Sequence, residues 1–354
     1  MRGSSVTRSV RRILAIAVLC VVSVGAFPLP AAAARMDQIV DLVSTKLDVH
    51  PLVGIGEQHG WEEAHLLRMA LIRDPRVLCK IDAVAVEFGN SALQPIADRF
   101  VSGQQVSARE LHSIWRDTGQ WMVWDSPIYR QFFEAAREVN LNRVCPKPVR
   151  IILADPPVDW TKIKSAADYE RFRKRDGFFA DIVKRDILAK GLRALIIAGD
   201  AHLWKWSPKG MPWGLRMGEI IERDHPGALF SIVDLPVPSM AATAGLPPAT
   251  SVTVLKDSPL GKRSFASLLD PEQVIKVVLE GKPIEVSMGK LDWPASEKVV
   301  DAFVNLGPGT HVEADPAVYH DPVYQAQLRE RAVIMKAVHR LDFIAMLEEE
   351  LAKR

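Results

Sequence analysis

The chain of 354 residues has only three cysteines and four tyrosines, and other absences narrow its function further. No G-x-S-x-G nucleophile elbow occurs, which disfavours covalent acyl-enzyme chemistry by a serine. There is no glycine-rich phosphate loop and no internal repeat. Neither charge sign is in excess, with 45 Lys+Arg against 43 Asp+Glu, and no basic face points to nucleic acid. So few cysteines exclude a disulfide scaffold, and 48% hydrophobic with 25% charged residues excludes a disordered or collagenous chain. No apolar run reaches the ~20 residues that span a bilayer.

What is present begins with an asymmetric start. Arg2, Arg8, Arg11 and Arg12 precede the apolar run ILAIAVLCVVSVGAF, and PLPAAAA follows it. Basic head, short apolar stretch and small-residue exit are the three parts of a secretory signal peptide. The expectation is a leader at residues 1–34, cleaved near Ala34, and a periplasmic or secreted protein with no stable membrane span. Without those four arginines the balance is 41 bases to 43 acids, a net charge of −2. Cys79 and Cys145 each precede an apolar run (DAVAVEF and VRIILAD). On neighbouring parallel strands they would share one sheet edge, leaving open a disulfide or two free thiols.

Five apolar runs read as buried strands: Leu52–Gly56, Ala83–Phe88, Val149–Ala154, Ala194–Gly199 and Leu229–Leu235. Helical patterns lie between them at Glu62–Ile72, Gln94–Phe100, Pro127–Asn140, Ala166–Lys190 and Met217–Asp224. This alternation predicts an α/β fold, a mainly parallel sheet of about five strands with helices on both faces. Residues 35–240 form the α/β domain. Residues 241–354 read as an extension packed on the same domain: residues 236–262 are a long connection and Val323–Ala352 a final amphipathic helix. That helix carries Leu328, Val333, Ile334, Val338, Leu341, Ile344 and Leu351 for packing or an oligomer contact.

In such sheets ligands bind beyond the carboxyl ends of the strands. There the chain places Glu57-Gln58-His59, then Glu87, then Asp155, then Asp200-Ala201-His202. One acid at a strand end is usually a helix cap; four, two with a histidine, indicate a site. Eight of the nine tryptophans follow these strands, which suggests a Trp-lined crevice for a small or medium-sized, partly apolar ligand. His59 or His202 can serve as general base. Glu57, Glu87 or Asp200 can orient the imidazole, and Arg68 can supply positive charge if it faces the crevice. The same His59, His202, Glu57 and Glu87 would also suffice for a divalent metal.

The strings GEQHGWEEAHLLR, AVAVEFGNSALQPIADRFVSG and LIIAGDAHLWK resemble the ChaN-like, Tiki and erythromycin-esterase superfamily over roughly residues 53–235. The positions that carry the likeness are Glu57, His59, His65, Glu87, Gln94, Pro95, Phe100, Gly199 and His202. An erythromycin-esterase likeness implies hydrolysis by a histidine-activated water, with the esterase arginine and strand-end glutamate falling on Arg68 and Glu87. The esterase motif has two residues between its Glu and His where this chain has only Gln58. A Tiki likeness implies a metal-dependent protease, with Gly56 and His59 at its G-x-x-H spacing. A ChaN likeness implies non-catalytic haem binding in iron uptake, for which His65, Tyr319 and Tyr324 are candidate ligands. Hydrolysis of an ester or amide is the leading expectation.

Overall fold

Strands buried on both faces must be apolar throughout, and the five apolar runs do form five adjoining strands of one sheet. The computed structural model describes residues 31–209, 211, 213–234, 250–269, 274–279 and 282–353. The leader expected at 1–34 therefore lies, up to residue 30, outside the described residues. The strands are β1 (Leu52–Glu57), β2 (Ala83–Asn90), β3 (Arg150–Asp155), β4 (Ala194–Gly199) and β5 (Leu229–Asp234). After them come β6 (Ser251–Val254), β7 (Val274–Leu279), β8 (Lys282–Ser287) and β9 (Ala302–Asn305). The fold is α/β with a seven-stranded sheet in the order β3-β2-β4-β1-β5-β9-β6. All its pairs are parallel except β6 on β9. The expected sheet of about five strands is thus extended by β9 and β6, so residues beyond 241 contribute to the same sheet. β6 also lies inside what the sequence suggested was a long connection. β7 and β8 form a separate antiparallel hairpin.

The helices are α1 (Ala31–Val49), α2 (Glu62–Arg73), α3 (Pro75–Leu78), α4 (Gln94–Val101), α5 (Ala108–Arg116) and α6 (Pro127–Leu141). They continue as α7 (Ala166–Tyr169), α8 (Arg175–Asp186), α9 (Met217–Asp224), α10 (Pro322–His339) and α11 (Phe343–Ala352). Strand side chains alternate between two cores, as the period of two requires. Val53, Ile55, Val84 and Val86 pack under α1, α2, α4, α5 and α6. Leu52, Ala83, Ala85 and Ile196 pack under α8 and α9. None of the helices is long and apolar enough, among the described residues, to cross a membrane.

Two helices depart from expectation. The helix read at 166–190 is broken, and α8 starts afresh at Arg175, which brings Arg175 and Asp176 to the site end of the sheet. The final helix splits at Arg340, whose φ of 61° ends α10. The break and the helical phase leave Leu341 54% and Val333 72% exposed. Leu328, Ile334 and Val338 are buried as expected and, with Ala332 and Met335, pack with Phe343 and Leu347 against Trp121, Val158 and Phe172. Cys79 and Cys145, ahead of the neighbouring β2 and β3, form a disulfide with Cα atoms 5.2 Å apart. Of the two states left open by the sequence, that one is present.

Candidate active site

The carboxyl ends of β1, β4 and β5 border a cavity of about 320 Å³, a volume at the small end of ligand sites. Glu57, His59, Asp200, His202, Arg216 and Asp234 line it. Sheet register accounts for the convergence: Glu57 pairs with Gly199 across β1 and β4, so residues just past each strand end meet.

His59 is held by what lies behind it. Its Nδ1 is 3.2 Å from Glu57 Oε1, and its Nε2 is 3.9 Å from Glu87 Oε2. Trp124 packs edge-on against the ring at 4.6 Å. Gly199 makes room, because a Cβ there would lie 2.9 Å from His59 Cε1. The His59 side chain is 37% exposed, against 2% for both glutamates. Burial disfavours its charged form, but Glu87 and Glu57 outweigh this and raise its pKa above 6.5.

Glu57 accepts a hydrogen bond from Arg68 Nη1 and a long one, 3.4 Å, from the Tyr129 hydroxyl. That hydroxyl in turn accepts from the Gly60 N–H at 3.0 Å. Arg68 is 1% exposed and its guanidinium lies 5.0 Å from the Tyr129 ring. It therefore faces the interior and holds Glu57. The crevice-facing cation expected of Arg68 is instead Arg216.

Glu87 joins the two histidines. It accepts from the Gly199 N–H at 2.7 Å and from Arg175 Nη2 at 2.9 Å. His202 Nε2 lies 3.2 Å from its Oε1. On its other side, His202 Nδ1 contacts Asp176 Oδ1 at 2.7 Å, and that oxygen also accepts from the Met217 N–H at 2.8 Å. Burial opposes charge on His202, yet Asp176 and Glu87 raise its pKa to about 9. Burial also opposes charge on Glu87, but His202, Arg175 and His59 hold it well below the usual carboxylate range. Arg175 ties in Asp155 as well, through Nε at 2.7 Å.

Asp200 is the opposite case. Burial, reinforced by Asp234, pushes its carboxyl well above the usual range and favours the protonated form. Its Oδ2 accepts from Gln58 Nε2 at 3.0 Å and its Oδ1 from the Asp234 N–H at 3.1 Å.

The proposed ligand sets for metal and haem do not assemble. Among the described residues no group of three or more His, Cys, Asp and Glu side chains is placed to hold a metal ion. Both nitrogens of His202 face carboxylates, and Glu57 and Glu87 are engaged by Arg68 and Arg175. Tyr324 donates to Asp125 Oδ2 at 2.8 Å and stacks with Tyr319 in the C-terminal core. Neither tyrosine lines the cavity, and their loop crosses instead beside the β1–α2 turn, where His311 bridges to Trp61. His65 does not line the cavity either: it is 7% exposed, and burial with Arg68 lowers its pKa to about 4.

The tryptophans also need correction. Trp204 lines the cavity and Trp124 supports His59, but Trp115 and Trp121 are core residues. Trp293, the one placed elsewhere, packs on Trp204 at 5.2 Å. Sequence reasoning missed Tyr129, Arg175, Asp176 and Arg216. None belongs to a strand-end motif; the only available signal was their position at or near helix starts, at Pro127, Arg175 and Met217.

No protein-family model matches the chain, and no curated protein matches its sequence. Solved structures of similar fold include a succinoglycan biosynthesis protein at 8% identity and TM-score 0.54, covering 80% of this chain and 99% of that one. Another is an erythromycin esterase mutant in its open conformation, at 12% identity and TM-score 0.50, covering 77% and 94%. At such identities the likeness is one of fold, and at that level the chain shares the architecture of an erythromycin esterase, which its motifs resemble.

Proposed function

We propose that this chain hydrolyses an ester or amide bond by activating water on His59. The observation that carries this reading is the partly exposed His59 ring on the cavity wall, oriented by Glu57 and backed by Glu87. With Nδ1–H donated to Glu57, Nε2 is the basic nitrogen, and Glu87 stabilises the imidazolium formed when water gives up its proton. The protonated carboxyl of Asp200 donates to the developing oxyanion or to the leaving group. Arg68 and Tyr129 position Glu57. His202, held cationic by Asp176 and Glu87, keeps Glu87 ionised and in place. The erythromycin esterase fold supports a hydrolase, and the absence of a serine elbow suits attack by water. The Cys79–Cys145 disulfide supports export to an oxidising compartment.

The test is a panel of alkyl and aryl esters and amides assayed with the wild-type protein and His59→Gln. Turnover that falls by roughly 10²–10⁴ in a variant with unchanged circular dichroism supports the assignment. Equal rates in the two proteins contradict it.

A further inference from the structure

The cavity lining divides by chemistry. Beyond the polar residues described, Phe265, Leu269, Ile275 and Met288 give it an apolar part. Arg216, the residue just before α9, belongs to the same lining and is used by none of the steps above.

Its guanidinium lies against two tryptophans and has one long ion pair, to Asp176. It lies 4.5 Å from the Trp213 ring and 5.7 Å from the Trp204 ring, and its side chain is 14% exposed. Nη1 reaches Asp176 Oδ2 at 3.4 Å, the outer limit of a hydrogen bond, and Nε has no partner among the described residues. Asp176 is already committed through its other oxygen to His202 and the Met217 N–H. A guanidinium offers five donors in a rigid fork that matches a carboxylate, and leaving one such as Nε buried and unmet is costly. Stacking on tryptophans fixes the fork without consuming those donors.

We propose that Arg216 docks a carboxylate on an otherwise apolar substrate. The substrate class is then an ester or amide of a small amphipathic acid that keeps one free carboxylate. The charge goes to Arg216 and the hydrocarbon part lies against Phe265, Leu269, Ile275 and Met288. A single anionic charge suits the site better than a phosphate dianion, because Asp234 shares the lining and Asp176 lies behind the arginine. This assignment rests on the cavity being the working site, but not on the hydrolytic step.

Binding of 4-phenylbutyrate and of its uncharged counterpart 4-phenylbutanamide, each measured by tryptophan fluorescence and calorimetry, tests the assignment. The acid is expected to bind the wild-type protein at least about tenfold more tightly than the amide, as a charge-assisted hydrogen bond implies. In Arg216→Gln the acid binds no better than the amide, and Arg216→Lys keeps part of the preference. Equal binding of acid and amide by the wild-type protein overturns the assignment, as does a preference that survives in Arg216→Gln. The wild-type comparison decides alone if the glutamine variant does not fold. Acid preference without ester turnover would sink the hydrolase reading and leave the docking role standing. Turnover without acid preference would do the reverse.

Discussion

His202 and Asp176 meet Nδ1 to Oδ1 at 2.7 Å although β4 carries the first towards the site and α8 the second. With Glu87 on its other face, His202 is an imidazolium clamped between two carboxylates. Its neighbour in role, His59, has one ring edge open to the cavity. That difference in surroundings, not in residue type, is the reason the proposed mechanism gives one histidine a structural role and the other the chemistry.

The clamp makes stability depend on pH in a specific direction. His202 has its pKa raised from 6.5 to about 9 in the folded chain. Its contribution is therefore complete below pH 6.5 and is lost as the pH rises through about 9. The melting temperature is expected to fall across that window, and less steeply in His202→Gln. Thermal unfolding monitored by circular dichroism from neutral to alkaline pH checks this.

Removing Arg68 leaves Glu57 charged, buried and without its main partner. Breaking a buried pair in this way costs roughly 3–5 kcal/mol. Arg68→Met is expected to lower the urea midpoint accordingly and to reduce turnover by displacing Glu57. A variant as stable as the wild type would show that the pair holds nothing in place.

Gly199→Ala tests the close approach directly. The added Cβ would lie 2.9 Å from His59 Cε1 and 3.4 Å from Glu87 Oε2, so the imidazole has to shift. Turnover is expected to fall by about tenfold or more, because small misplacements of catalytic groups are costly. The unfolding midpoint should change little by comparison. Steady-state kinetics alongside chemical denaturation separates the two effects.

The disulfide closes a loop across 66 positions. Chain entropy gives such a link about 4 kcal/mol. Cys79→Ser with Cys145→Ser is expected to destabilise the fold by that order without touching the cavity. Denaturation with and without reductant, together with thiol titration, measures it.

The legible and the hidden parts of the molecule differ for physical reasons. β1 to β5 stand out because strands covered on both faces must be apolar without interruption. β6 and β9 do not, being four residues each (SVTV and AFVN), with β6 at the sheet edge and partly exposed. α1 starts at Ala31, inside the alanine run that also reads as a leader exit. In the site, Glu57, His59, Glu87, Asp200 and His202 could be named because the ends of parallel strands share one edge. Asp176 and Arg216 could not, since their contact depends on where α8 and α9 begin. A continuous helical pattern over 166–190 concealed the break that brings Asp176 to His202. The direction in which Arg68 points was likewise undecidable from spacing, because it follows from how α2 lies on β1 and α6.

The proposed mechanism makes His59 the base. Because Glu87 and Glu57 raise its pKa above 6.5 against the effect of burial, the neutral form that accepts a proton is depleted at lower pH. The most direct measurement is the pH dependence of kcat/KM on an ester substrate between about pH 5 and 10. The rate is expected to climb with pH through one group titrating above 6.5, a limb absent from the residual activity of His59→Gln. A flat profile, or the same ascending limb in His59→Gln, would contradict it.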